Sequence, residues 1–228
     1  HSFEGSGPES WVAVTGTGSV NFDHAGPGSL PSGGGVQCCR VVKPGSASSD
    51  YAYLNLSGQT VTYSRHMLYI GAEGLASGES FDTIGGLSNQ ANGELMGILL
   101  SKSAGGQLEL SVNFRQSSWT TLGTVSVATG AWYCVELLYR TDTLAIAAWV
   151  NDVSLGTATA DSLPRGQCNR IFVGPRWAGE LGNVRALTIY YDLIALDNAV
   201  RIGPPADAGI AGSAQAVATL AAALSESR

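Results

Sequence analysis

The sequence predicts an all-β protein built as two packed antiparallel sheets, with a short alanine-rich helix at its C-terminal end. Three observations carry this. The run Trp132–Gly156 reads as two or three half-buried strands joined by tight polar turns at Arg140–Thr143 and Asn151–Asp152. Side chains alternate across a pleat, so Tyr133, Val135, Leu137 and Tyr139 fall on one side and Trp132, Cys134 and Glu136 on the other. Turn clusters at Gly26–Gly35, Lys43–Ser49, Ala72–Gly78, Ser88–Gly93 and Ser103–Gly106 punctuate short apolar or alternating segments, a spacing that suits a sandwich. A chain of 228 residues, 44% hydrophobic with 30 glycines and 13% charged residues, has the size and composition of one such domain.

In chain order the strands are predicted at Val36–Val42, Tyr51–Leu56, Thr60–Ile70, Leu95–Ser101, Leu108–Arg115, Trp132–Tyr139, Leu144–Val150, Arg170–Val173 and Val184–Ala195. No fixed-period repeat is visible. Composition changes after Gly203-Pro204-Pro205, which divides the chain into a sandwich domain over residues 1–203 and a tail over 204–228. Ser213–Ser225 is rich in alanine, and Val217, Leu220 and Leu224 are spaced to share one helical face.

Charge and cysteine usage bound the partners. With 18 acidic against 12 basic residues and only Lys43 and Lys102 as lysines, the chain lacks the overall positive field that nucleic acid or anionic membranes require. No apolar run reaches the roughly 20 residues of a membrane span, so no membrane insertion is expected. The first residue is not methionine and no signal-peptide pattern is present, which implies that a segment has been removed. Cys38, Cys39, Cys134 and Cys168 fit an oxidising compartment without requiring it, and a Cys134–Cys168 bridge is one expectation. Four free, buried thiols are the other. Asn55-Leu56-Ser57 is a glycosylation triplet of a kind that arises by chance.

The order of these features resembles the concanavalin A-like or laminin G-like jelly roll of lectins, glucanases and extracellular or phage-particle proteins. The resemblance covers Ser2 to Gly203. It rests on the opening Phe3-Glu4 segment, Tyr51–Leu56, Trp132–Leu137, the Val150-Asn151-Asp152 turn, Arg170–Gly174 and the closing Tyr191-Asp192-x-Ile194-Ala195. Such folds host sugar binding, sugar cleavage and pure architecture. The resemblance also implies a structural calcium held by Glu4 and Asp192, whose oxygens suit a hard cation.

Catalysis is the minority expectation. Retaining glucanases of this fold carry carboxylates two and four positions apart on one strand, and no two acids of this chain have that spacing; Glu79 with Asp82 and Asp192 with Asp197 are among the nearest. Tyr63, His66 and Arg115 supply the residue types of a polysaccharide lyase, but Tyr63 and His66 face opposite sides of one strand. A terminal His1, with His24 or His66, is more simply an accident of cleavage than a copper site. No nucleophile elbow, zinc-protease helix or paired Cys-x-x-Cys occurs.

For sugar recognition the candidates are Trp119 and Trp177, placed in loops beside strands, with Arg115 and Arg176 to read polar groups and Trp11 as a third ring. Trp132 and Trp149 lie within alternating strands and are expected to be buried. The reading that results is a non-catalytic extracellular, cell-surface or virion-surface module. Self-association through the tail and open sheet edges comes first, glycan binding second, and lyase or hydrolase activity third.

Overall fold

The computed structural model describes residues 11–27, 37–46, 49–90, 93–160, 166–176 and 185–205. The strands are β1 (Trp11–Val14), β2 (Ser19–Ala25), β3 (Gln37–Lys43), β4 (Tyr51–Gln59), β5 (Val61–Glu73), β6 (Ser80–Asn89) and β7 (Gly93–Lys102). They continue with β8 (Leu108–Arg115), β9 (Trp119–Ser126), β10 (Trp132–Arg140), β11 (Ala145–Val150), β12 (Val153–Thr159), β13 (Cys168–Val173) and β14 (Leu187–Asp197). They form two antiparallel seven-stranded sheets. The first has the order β1-β4-β13-β6-β7-β8-β9, the second β12-β11-β10-β5-β14-β3-β2.

The pattern that builds the sandwich is plainest in β8, where Leu108, Leu110, Val112 and Phe114 are buried while Glu109, Ser111, Asn113 and Arg115 alternate with them. Period-two burial points one face at the partner sheet and the other at solvent. In the second sheet β10 lies between β5 and β11, and eight of its nine residues are buried. Its inward residues Tyr133, Val135, Leu137 and Tyr139 join the main core, as alternation predicts. Its outward Trp132 and Cys134 are covered too, in a satellite cluster with Met67, Tyr69, Tyr190 and Leu193.

The predicted Asn151–Asp152 turn is present, with both residues at positive φ (50° and 70°). That is the signature of a type I′ hairpin, which short polar residues tolerate and which matches strand twist. Asn151 Oδ1 also accepts the Cys134 amide at 2.9 Å. The β9 and β12 edges meet at one side of the sandwich: a Cβ on Gly123 would lie 2.2 Å from the Leu155 carbonyl oxygen, so this approach requires glycine.

Polar ties cross the core. Tyr191, from the second sheet, donates its hydroxyl to the Ile84 carbonyl of the first and accepts the Gly174 amide at 3.1 Å. The register Val135↔His66 places His66 between the sheets as well, fully buried beside Ser64, with 3.3 Å between Ser64 Oγ and Nε2.

Beyond β14 the chain turns across the outer face of the second sheet and is clasped there. Arg201 reaches Glu136 at 2.5 Å and Asp152 at 2.6 Å, and the Gly203 amide donates to Glu136 at 2.7 Å. Arg65 binds the Leu193 and Gly203 carbonyls. Glu136, opposite Trp149 in the register, is therefore buried and hydrogen-bonded although it points out of the core.

Several expectations need correction. Strands β1, β2, β6, β9 and β12 lie outside the predicted set. The Ser88–Gly93 turn cluster is partly strand, since β6 runs to Asn89 and β7 begins at Gly93. The Cys134–Cys168 bridge does not form: all four cysteines are free, and Cys134 lies on the outer side of the second sheet while Cys168 belongs to the core between the sheets. The predicted C-terminal helix, with Val217, Leu220 and Leu224, lies outside the described residues.

Candidate functional site

The outer face of the first sheet collects the polar and aromatic side chains that the core does not use. Facing residues of an antiparallel pair share a side. Leu54, Ile171, Leu87, Met96 and Phe114 face the core, so their neighbours project the other way. One row on this outer face is Asn55, Arg170, Ser88 and Glu94, drawn from β4, β13, β6 and β7 by direct register. The next is Tyr53, Phe172, Gly86, Gly97, Asn113 and Thr121, which continues across β8 to β9. Arg115 and Trp119 pair at the β8–β9 end.

Arginine and aromatic rings interleave along this face. The Arg170 guanidinium lies 3.9 Å from the Tyr53 ring centre, and its Nε donates to Asn55 Oδ1 at 3.0 Å. Arg115 lies 5.5 Å from the Trp119 ring. Arg176, just past β13, lies 5.4 Å from Phe172 and 6.0 Å from Tyr51. Cation–π contacts of this kind are worth about 0.5–2 kcal/mol each.

The centre of the face is buried and closely packed. Gly86 and Gly97 stand opposite each other without side chains. A Cβ on Gly97 would come within 3.1 Å of Thr83 Cγ2 and 3.6 Å of Glu94 Oε1, so Thr83 and Glu94 lean over this floor. Glu94 is only 4% exposed, Arg170 8% and Ser88 fully buried. Ser88 Oγ and Asn113 Oδ1 are buried polar atoms with no hydrogen-bond partner, in a fold whose buried polar groups are otherwise mostly bonded.

No protein-family model and no curated protein matches the chain in sequence. Solved structures match in shape. The cellulose-induced protein Cip1 superposes with a TM-score of 0.62 at 17% identity, over 86% of this chain and 94% of that one. An alginate lyase from Pseudomonas aeruginosa gives 0.53 at 12% identity, over 71% and 82%. The carbohydrate recognition domain of Emp47p gives 0.52 at 11% identity, over 85% and 90%. The chain has the concanavalin A-like jelly-roll fold.

Within this jelly roll the predicted site residues separate. Trp119 is exposed at 41%, but it heads β9 instead of lying in a loop, because its register partner Arg115 continues the ladder to the hairpin end. Arg176 lies beside Phe172 and Tyr51, several strands from Arg115, so the two arginines do not converge. Trp177 and Glu4 lie outside the described residues. Asp192 is fully buried and its Oδ1 accepts the Leu193 amide at 2.7 Å. Among the described residues no three His, Cys, Asp or Glu side chains gather to hold a metal.

The lyase set does not assemble in the jelly roll. His66 is inside the core, Tyr63 faces out of the second sheet, and Arg115 faces out of the first. Nor does a carboxylate pair form on the described part of the first sheet's outer face. Glu109 pairs with Ser101, seven residues along β7 from Glu94, a distance of about 23 Å in an extended strand. Glycoside hydrolysis needs roughly 5–9.5 Å.

Sequence reasoning missed Tyr53, Asn55, Ser88, Glu94, Asn113, Arg170 and Phe172. A signal for some of them was present: in Tyr51–Leu56, alternation alone sets Tyr51, Tyr53 and Asn55 against Ala52 and Leu54. A cleft of about 290 Å³ lined by Leu56, Ser57, Gln59, Thr62, Leu196, Asp197 and Asn198 opens at one end of the sandwich. Its acid, Asp197, already accepts the Ala199 and Val200 amides.

Proposed function

We propose that this jelly roll is a carbohydrate-binding module of an extracellular or cell-surface protein, with its ligand lying across the outer face of the first sheet. The observation that carries this reading is the register itself, which sets Tyr53 and Trp119 among Arg170, Arg115 and Asn113 on one side of one sheet. Sugar rings present C–H faces that pack on aromatic rings and hydroxyls that need directional partners. Half-buried polar side chains on this face, such as Asn113, suit those hydroxyls. The recognition domain of Emp47p, a carbohydrate-binding domain by name, shares the fold and lends the reading support.

The test is a glycan array on the full chain, repeated with Tyr53→Ala and Trp119→Ala. Bound glycans whose signal falls in both variants support the proposal, and an array with no signal removes it. Self-association in a larger assembly was the first expectation from sequence. Its named carriers, Val217, Leu220 and Leu224, lie outside the described residues, and no observation among the described ones favours it.

A further inference from the structure

We infer that the carbohydrate taken by this face is an anionic oligosaccharide, with one acid group at Arg170 and another at Arg115. This rests on the carbohydrate-binding reading and adds charge to it. Elsewhere on the sandwich three arginines are committed to carboxylates, Arg140 to Asp142, Arg185 to Glu79, and Arg201 to Glu136 and Asp152, while Arg65 is committed to carbonyls. Arg170 and Arg115 have no such partner among the described residues. Arg170 uses only Nε, on Asn55, so both terminal nitrogens are unengaged there; Arg115 makes only its contact with Trp119.

A guanidinium held beside a ring still presents its planar N–H fork. That planar fork matches a carboxylate or sulfate through two parallel hydrogen bonds. The stacking ring restrains the fork before ligand arrives, which lowers the ordering cost of binding.

The spacing selects an oligomer. Arg170 is on β13 and Arg115 on β8, with β6 and β7 between them. Three strand intervals of about 4.8 Å give about 14 Å, more than the acid group of one sugar can bridge. The chain's net charge of −6 offers no general attraction for polyanions. Recognition is therefore by contact and does not extend to nucleic acid.

Isothermal titration of the full chain against oligouronates, sulfated oligosaccharides, neutral gluco-oligosaccharides of equal length and a single-stranded oligodeoxynucleotide tests this. We expect one anionic series to bind at least tenfold more tightly than the neutral series, and which series it is identifies the acid group. Arg115→Gln should weaken that binding about tenfold, several times more than it weakens binding of the neutral series. Arg170→Lys, which keeps the charge and loses the fork, should also weaken it while melting temperature holds.

Neutral sugars bound as tightly as acidic ones, or acidic binding indifferent to Arg115→Gln, overturns the anionic inference and leaves the carbohydrate reading standing. An oligonucleotide bound as tightly as the uronates overturns it too. No binding of any sugar removes both.

Discussion

The Arg170 side chain is held from two sides, its guanidinium 3.9 Å from the centre of the Tyr53 ring and its Nε 3.0 Å from Asn55 Oδ1. A side chain 8% exposed and fixed in this way joins the β4 and β13 strands. Arg170→Ala is expected to destabilise by about 1–3 kcal/mol, since it removes stem packing, ring contact and a charge-assisted hydrogen bond together. Arg170→Lys should retain most of the packing. Denaturant midpoints read the difference, and an Ala variant as stable as wild type would refute the structural part of the role.

Much of the fold was legible because the core obeys a simple period. Runs such as LELSVNFR and WYCVELLY announce their buried face by alternation, and the Asn151–Asp152 turn by its residue types. The missed strands lack that contrast. Strands β9 and β12 are sheet edges whose residues are all exposed or half-buried, and they are rich in Thr, Ser and Gly. Strand β6 contains Gly85 and Gly86 beside register shifts, which read as a break. The candidate site was less legible, since Arg170, Glu94 and Asn113 come from three strands and only register brings them into neighbouring rows.

His66 makes the fold acid-sensitive. Complete burial between the sheets pushes its imidazole down from 6.5 to about 3. Between those values the unfolded chain takes up a proton that the folded chain refuses, so this contribution is full above pH 6.5 and falls as pH falls. The slope is about 1.4 kcal/mol per pH unit, or about 2 kcal/mol lost by pH 5. Urea unfolding of wild type and His66→Gln at pH 7 and pH 5 isolates the effect. The stability gap between the two should shift by that amount in favour of the variant at pH 5, and a constant gap would show that His66 protonates in place.

The four thiols are predicted to be silent in the native state. Burial pushes Cys38 and Cys134 up to about 12 and Cys168 to about 11, and raises Cys39 as well, so none is a thiolate at neutral pH. A thiol reagent should label no cysteine in the folded protein and four in denaturant, and reductant should leave the melting temperature unchanged. Two labelled sites in non-reducing denaturant, rising to four after reduction, would reveal a disulfide and contradict the geometry.

Glu136 and Arg201 fasten the chain after β14 to the second sheet. The Glu136 side chain is 3% exposed, and Arg201, which also lies 4.4 Å from the Trp149 ring, supplies most of its bonding. Removing Arg201 leaves a buried carboxylate whose remaining partner is the Gly203 amide. Because the Arg201 side chain is 30% exposed, water offsets part of that loss, so Arg201→Ala should cost about 2–3 kcal/mol, below the 3–5 of a fully buried pair. Adding Glu136→Leu to Arg201→Ala removes the stranded charge and should recover about half of the loss. The double variant's denaturation midpoint, set against both singles, decides between a coupled pair and two independent residues. Simple additivity of the two losses would mean that the clasp contributes no interaction energy. Amide exchange over residues 193–203 should quicken in Arg201→Ala while the β8 amides keep their wild-type rates, since the clasp holds that segment and not the sandwich core.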